Sequence, residues 1–531
     1  MSIKNKAYYP LLLSFISGVL FWIGWPTKPL PFVLFFAFIP VLYLQEHFQN
    51  SGLKRRAAHF FLYSYLALLL WNVFTTYWIY NATSIGGIFA MVANALLMCI
   101  PLLFFYYTKK HTSERVGLIA FIIYWMAFEY LHLNWDLSWP WLTLGNAFAS
   151  TPSLVQWYEY TGVFGGSFWI LLGNVLIYSV IRRKGSLLIK LSIPALLILP
   201  AVISLFIYKN YEDQGSLVQV IVVQPNIDPY EEKFEGGKKF IPYDEQLARL
   251  ISLSEKKISP ETKYIVWPET ALPFGYNEDE LEHQLVIDTL KKFMARHPQA
   301  CLVTGLDCYK IYLKKESRTA KPIGDHVHFY DSFNAAMQID EHGKLTVYHK
   351  SKLVPGVEFV PDLLAPFVID MGGGSGILGS QKERTVFFNA QKQGIAPIIC
   401  YESIYGDFVR QYVKNGANMI FVITNDGWWG NTQGYRQHLL YGRLRAIETR
   451  KSIARAANTG ISGFINQRGD IVEGSEYWKQ DVLSASLKEN SIRTFYTRHG
   501  DYLGIISLFL SGICVAGTFV LIRRKRKLNQ A

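Results

Sequence analysis

Long apolar runs decide the architecture before any motif does. The chain carries one such run after another up to Lys209 and a last one after Tyr502. Each approaches the ~20 residues needed to cross a hydrocarbon core. With 531 residues, half of them apolar, the chain exceeds one ordinary soluble core, so regions of different solvation are expected. About eight spans are predicted: Tyr8 to Trp25, Leu30 to Leu44, His59 to Tyr80, Ile85 to Tyr107, Val116 to Leu133, Thr161 to Ile181, Leu187 to Tyr208 and Tyr502 to Ile522. The second is short. The first follows Lys4 and Lys6 as a signal peptide would, but no small-x-small cleavage site follows it, so it reads as a retained anchor.

Short loops rich in Lys and Arg stay in the cytoplasm. With eight spans, Lys54-Arg55-Arg56, Lys109-Lys110 with Arg115, Arg182-Arg183-Lys184 and the tail Arg523 to Lys527 fall on one side, while connections such as Asn81 to Ser84 lack such residues. Both termini are then cytoplasmic. The expected domains are 1–209, an N-terminal bundle; 210–501, an external domain; and 502–531, a final helix with a basic tail. The net charge of +12 is largely explained by these loops and calls for no nucleic acid.

Between the spans, short β-branched runs alternate with helical patterns, which predicts an α/β domain. Strands are expected at Leu217 to Val223, Tyr264 to Trp267, Cys301 to Thr304, Ala335 to Ile339, Ile395 to Cys400, Met419 to Thr424 and Ser462 to Ile465. Helices are expected at Glu245 to Glu255, Glu280 to Arg296 and Gln437 to Arg450, and a Gly-rich loop at Met371 to Gly379. Of the five cysteines, Cys99 and Cys514 fall in spans. Outside the cytoplasm Cys301 and Cys308 can pair, which leaves Cys400 as an odd thiol and a candidate for reactivity.

Three strand ends present complementary polar groups: Trp267-Pro268-Glu269-Thr270, Tyr348-His349-Lys350-Ser351-Lys352 and Ile398-Ile399-Cys400-Tyr401-Glu402. A thiol with a free pKa of about 8.5 needs a base or cation to become a nucleophile at neutral pH. Glu269 can take the proton, and a lysine ammonium can stabilise the oxyanion formed on an ester or amide carbonyl. Residues two apart share one face of an extended strand, so pattern alone leaves Lys350 and Lys352 as alternatives.

In this order, the three pieces resemble the carbon-nitrogen hydrolase (nitrilase) superfamily across Val220 to Ile465. The stretch Leu353 to Pro361 (Leu-Val-Pro-Gly-Val-Glu-Phe-Val-Pro), the pieces Trp139 to Gly145 and Glu159 to Gly162, and the flanking spans are similar to its apolipoprotein N-acyltransferase family. The resemblance implies a nitrilase-like αββα sandwich beside the helical transmembrane bundle. It implies Glu269 as general base, Lys350 rather than Lys352 on the oxyanion side, Cys400 as nucleophile and Glu358 as an accessory carboxylate. Tyr401 and Glu402 are expected to shape the acyl pocket. Soluble relatives usually carry His where Lys352 stands, and the family's commoner Phe-Gly-Glu is here Gly356-Val357-Glu358.

Phe234, in the arm from Asp228 to Lys238, is the candidate for the aromatic gate the family often has, with a loop-pinning residue as the plain alternative. Trp428, next to Trp429 in a turn sequence, either seats the domain on lipid or packs under the following helix. The helix bearing Arg443, Arg445, Glu448 and Arg450 reads as scaffold. Lys190 is expected to snorkel, and Glu129 and Glu159 to be solvated near the outer membrane boundary, with contact to lipid headgroups as the alternative.

The resemblance implies an acyltransferase of the bacterial inner membrane with its catalytic domain on the periplasmic side, and no metal or organic cofactor. Its partners would be a phospholipid acyl donor, phosphatidylethanolamine, and a diacylglyceryl apolipoprotein acceptor, both in membrane lipid. A membrane-tethered amidase with the same triad and a non-catalytic lipoprotein-binding protein are the alternatives.

Overall fold

The computed structural model describes residues 8–183, 187–324, 327–361 and 377–528. Lys4, Lys6, Lys184 and most of the Gly-rich segment fall outside the described residues. The chain forms two compact units. One comprises Met1–Tyr80, Ser84–Asn210 and His499–Ala531; the other comprises Asn81–Thr83 and Tyr211–Arg498.

In the first unit, seven helical stretches among the described residues are long and apolar enough to cross a membrane: Pro31–Gln49, Arg56–Thr76, Ser84–His111, Glu114–Leu133, Val163–Arg182, Ile193–Asn210 and Tyr502–Leu528. The first expected span is shorter than predicted. Its helix is Tyr9–Ile23, capped at Gly24 ahead of Pro26, and at 1.5 Å per residue it reaches only about 22 Å. The second opens as a 3-10 turn, Pro31–Phe36, and continues as helix Ile39–Gln49.

Glu129 departs from its expected solvation. Its side chain is buried, accepting from the Trp125 indole at 3.1 Å and from Leu144 N–H at 2.8 Å. That bond anchors a series of 3-10 turns, Pro140–Leu142, Leu144–Ser150 and Pro152–Leu154, whose backbone groups need such partners because they lie outside any regular helix. Tyr158 Oη donates to Gly145 O at 2.9 Å and closes the same region. Glu159 is half-buried and Lys190 is exposed.

The second unit is built on two sheets. Its strands in chain order are β1 (Ser216–Gln224), β2 (Thr262–Val266), β3 (Leu272–Asn277), β4 (Cys301–Tyr312), β5 (Lys321–Pro322), β6 (Phe329–Ile339) and β7 (Leu345–His349). They continue with β8 (Phe387–Phe388), β9 (Gly394–Ile399), β10 (Ala417–Thr424), β11 (Ile453–Ala457), β12 (Gly463–Ile465), β13 (Ile471–Gly474) and β14 (Asp481–Glu489). The first sheet runs β14-β1-β2-β4-β6-β5, with β3 beside β4 and β7 beside β6; the second runs β13-β12-β11-β10-β9-β8. The strands β1, β2 and β4 are mutually parallel in the first sheet, as are β9, β10 and β11 in the second.

These parallel strands read as continuous apolar runs because both faces are covered. On β1, Ile221 and Val223 pack with Leu250 and Leu253 of helix Tyr243–Glu255 and with Leu290 and Phe293 of helix Leu285–Ala295. Val220 and Val222, on the other face, are equally buried. Tyr264 meets Phe421 of the opposite sheet edge-on, ring centres 5.1 Å apart. Helices Gly406–Lys414 and Gln433–Thr449 cover the second sheet, giving the αββα sandwich. Full burial of each Val, Leu, Ile or Phe contributes roughly 1.5–3 kcal/mol, so this layered core dominates the stability of the unit.

Local differences from expectation have local causes. The helix expected over Glu280 to Arg296 is a 3-10 turn, Glu278–His283, then a break at Gln284 (ψ 134°) before the helix proper. Four strands of three or more residues were not anticipated: β3, β11, β13 and β14. The β11 run Ile-Ala-Arg-Ala-Ala and the polar β14 lack the β-branched density that marks a strand in sequence. Cys301 and Cys308 do not pair: both are free, and both lie on β4. Seven residues of one strand separate them by about 23 Å and place them on opposite faces, far beyond the reach of a disulfide.

Candidate active site

Three strand ends from the two sheets deliver the candidate groups. Glu269 follows β2, Lys350 follows β7 directly and Cys400 follows β9 directly. This is the carboxyl end of the parallel strands, where loops leave open sheets and sites gather.

Lys350 Nζ donates to Glu269 Oε1 at 3.1 Å and to Glu358 Oε1 at 2.7 Å. All three side chains are largely withdrawn from water. Burial alone would lower the Lys350 pKa, but Glu269 and then Glu358 outweigh it and hold the group well above the ordinary lysine value. The lysine is therefore a fixed cation. Two further donors complete Glu269: Asn334 Nδ2 reaches Oε1 at 2.8 Å, and the Asn425 backbone N–H reaches Oε2 at 3.0 Å. Asn334 also bridges to Glu358 Oε1 at 3.1 Å, and Val354 N–H donates to Glu358 Oε2 at 2.8 Å. Lys233 Nζ donates to the backbone carbonyl of Glu269 at 3.2 Å; burial lowers its pKa to about 8, with Asp307 and Glu269 opposing.

Cys400 sits in the left-handed region, φ +50°, between β9 and the 3-10 turn Cys400–Ile404. A non-glycine residue there carries roughly 1–3 kcal/mol of strain, sustained only by its surroundings. Those surroundings are dense. The Glu402 carboxylate accepts from Tyr348 Oη at 2.6 Å, from Ser351 N–H at 2.7 Å, from Lys352 N–H at 3.1 Å and from Ile399 N–H at 2.9 Å. It thereby ties the turn after Cys400 to the segment that carries Lys350. Beneath it, His438 spans Asp426 Oδ1 (Nδ1, 3.0 Å) and the Cys400 carbonyl (Nε2, 3.0 Å). Asp426 is held by Arg455, whose charge overrides burial and depresses the carboxyl to about 2.

Burial pushes the Cys400 thiol up, Glu269 adds to the effect and Lys350 opposes it. The resting group is a protonated thiol in electrostatic reach of a carboxylate and a cation, a composition suited to acyl transfer. Gly305 permits the approach: a Cβ there would come within 2.5 Å of Thr270 N and 2.7 Å of the Glu269 Cα.

Other expected residues are more scattered. Lys352 directs its ammonium over the Tyr405 ring at 5.0 Å, so Lys350 is the lysine that meets Glu269. Tyr401 is buried against Tyr405. Phe234 is half-buried, with Lys233 Nζ 5.9 Å from its ring centre. Trp428 lies edge-on to Tyr230 at 5.0 Å, and Trp429 packs against His438 of the following helix at 5.5 Å. The charge-laced helix holds scaffold bonds, with Arg445 donating to Glu448 at 2.8 Å and to Ile404 O at 2.6 Å.

Asn334, Lys233, Asp426, His438 and Arg455 were not singled out from sequence for the site. The signal for Asn334 was an amide next to the apolar Ala335-Ala336-Met337 run of β6, where an unpaired polar group would be costly.

The two-sheet sandwich is a carbon-nitrogen hydrolase domain: the family profile described as carbon-nitrogen hydrolase matches residues 222–496. A second profile, the apolipoprotein N-acyltransferase N-terminal domain, matches residues 17–176. The apolipoprotein N-acyltransferase of Chlorobaculum tepidum is 32% identical over 524 residues, covering 95% of each chain. That of Geobacter metallireducens is 29% identical over 96% of this chain and 94% of its own, and that of Thermotoga maritima 24% over 95% and 93%. The chain belongs to the apolipoprotein N-acyltransferase family, a family of membrane enzymes.

Proposed function

We propose that the protein transfers an acyl chain from a phospholipid, phosphatidylethanolamine, to the N-terminal amine of S-diacylglyceryl-cysteine apolipoproteins. The observation that carries this reading is the meeting of Glu269, Lys350 and Glu358 beside Cys400 in one buried cluster of a chain that also has membrane-spanning helices. Both acyl substrates reside in lipid, which suits an enzyme with a membrane anchor.

In the first step Glu269 accepts the Cys400 proton as sulfur attacks the ester carbonyl. Lys350 balances the oxyanion. Collapse of the tetrahedral adduct breaks the ester bond, the proton passes from Glu269 to the departing lysophospholipid oxygen, and a thioester remains. In the second step the free α-amine attacks the thioester, Glu269 accepts a proton from the amine, and the thiol is restored as the amide forms. Glu358 fixes Lys350, while Tyr401 and Glu402 shape the acyl pocket. In this reading Phe234 serves as the gating aromatic and Trp428 seats the domain on lipid. In this reading residues 1–209 and 502–531 anchor the enzyme in the bacterial inner membrane, and 210–501 form the periplasmic catalytic domain.

The test is labelling with acyl-labelled phospholipid followed by hydroxylamine. Wild type is expected to acquire a hydroxylamine-labile label that Cys400→Ala lacks, and to pass it to added apolipoprotein. Equal labelling of Cys400→Ala sinks the covalent route. Free fatty acid accumulating despite abundant acceptor would instead mark a hydrolase.

A further inference from the structure

The geometry points to a second site in the soluble unit: a divalent metal site of the zinc class formed by Glu278, Cys308 and His349. It is independent of the acyl-transfer reading.

The three donors come from three separate elements at one end of the first sheet, with β6 lying between β4 and β7. Glu278 begins the turn after β3, Cys308 lies on β4 and His349 ends β7. Their ligand atoms all lie within 4.8 Å of one another. His349 Nε2 and the Cys308 thiol both address the same carboxylate oxygen, Glu278 Oε2; the sulfur is 3.7 Å from it and the imidazole forms a short contact with it. An ordinary Glu–His ion pair requires no thiol at that oxygen. Imidazole, thiolate and carboxylate together are the donor set that zinc takes in tetrahedral sites. Donor atoms around tetrahedral zinc stand roughly 3.3–3.8 Å apart, from bond lengths of about 2.0–2.3 Å, so side-chain shifts of about 1 Å suffice.

The surroundings support a built site. Lys310 Nζ donates to the other carboxylate oxygen, Oε1, at 2.9 Å, which orients Glu278 without occupying Oε2. Phe333 stacks on the His349 ring, centres 3.9 Å apart, and fixes its plane. Cys308 is buried, whereas the side chains of Glu278 and His349 remain 15% and 12% exposed, which leaves a route for an ion and a fourth, water-filled position. As the metal–sulfur bond forms, the thiol proton leaves to solvent. A bound ion would join β3, β4 and β7 one residue before Lys350.

The experiment uses the full-length chain in detergent, stripped with chelator and titrated with cobalt(II), which reports thiolate ligation through a sulfur-to-cobalt charge-transfer band. The expected result is such a band at one ion per chain, displaced by zinc and accompanied by a rise in melting temperature. Cys308→Ser should abolish the band. Glu278→Gln should weaken binding at least about tenfold, the minimum lost when outer-shell partners of metal sites are removed. Cys400→Ala should keep the band. No charge-transfer band in wild type, a band that persists in Cys308→Ser, or one lost in Cys400→Ala and so belonging to the Cys400, Asp426 and His438 group, would each overturn the assignment.

Discussion

Replacing Lys350 with methionine keeps the length of the side chain and deletes its charge, which isolates the cation at the centre of the candidate site. The ammonium lies 3.1 Å from Glu269 and 2.7 Å from Glu358. With an effective dielectric near 20, those separations correspond to roughly 5 and 6 kcal/mol of attraction, set against several kcal/mol for desolvating each ion. Deleting the cation leaves two buried carboxylates sharing the Asn334 amide, and breaking a buried pair in this way typically costs about 3–5 kcal/mol. Loss of the oxyanion partner should slow acyl-enzyme formation by at least about 10²-fold. Denaturation of the detergent-solubilised protein, with rapid-quench counting of hydroxylamine-labile label, measures both effects. A loss below about 1 kcal/mol together with a labelling rate within tenfold of wild type would refute the reasoning.

Lys451 is buried with its ammonium on Ile492 O at 2.6 Å, and burial followed by Arg493 lowers its pKa from 10.5 to about 7. Folded stability should accordingly rise with pH from about 7 toward 10.5, where only the unfolded chain stays protonated; Lys451→Met should remove that rise and gain a few kcal/mol near pH 7. Glu402→Gln breaks a carboxylate that accepts from Tyr348, Ser351, Lys352 and Ile399, and should cost at least about 2 kcal/mol by denaturant titration while slowing labelling at Cys400. Gly305→Ala forces a Cβ into the backbone of Glu269 and Thr270 and should destabilise by about 1–3 kcal/mol, with lower activity in the folded fraction; an unchanged melting temperature and rate would contradict the close approach.

Local chemistry explains what could be read in one dimension. The membrane-spanning stretches, the β-branched strands β1, β2, β9 and β10, and the placement of Glu269 and Cys400 after them follow from hydropathy and periodicity over neighbouring residues, and resemblance supplied the choice of Lys350. Strands such as β11 and β14 were hidden because their stability comes from partners far along the chain: Ser216 to Gln224 pairs with Asp481 to Glu489 across the whole unit. The same reason hid the rest of the site.

By itself the sequence determined a chain divided between apolar helices and an α/β domain, with a carboxylate, a lysine and a thiol at strand ends. Tertiary structure decided which groups surround them. It brought Asn334 and the Asn425 amide onto Glu269, placed Glu402 and His438 around the strained Cys400, and set Cys301 and Cys308 beyond disulfide reach. Periodicity reports the face on which a residue lies. Hydrogen bonds, ion pairs and ligand geometry depend on ångström separations between residues distant in sequence, and only the packed sheets bring those residues together.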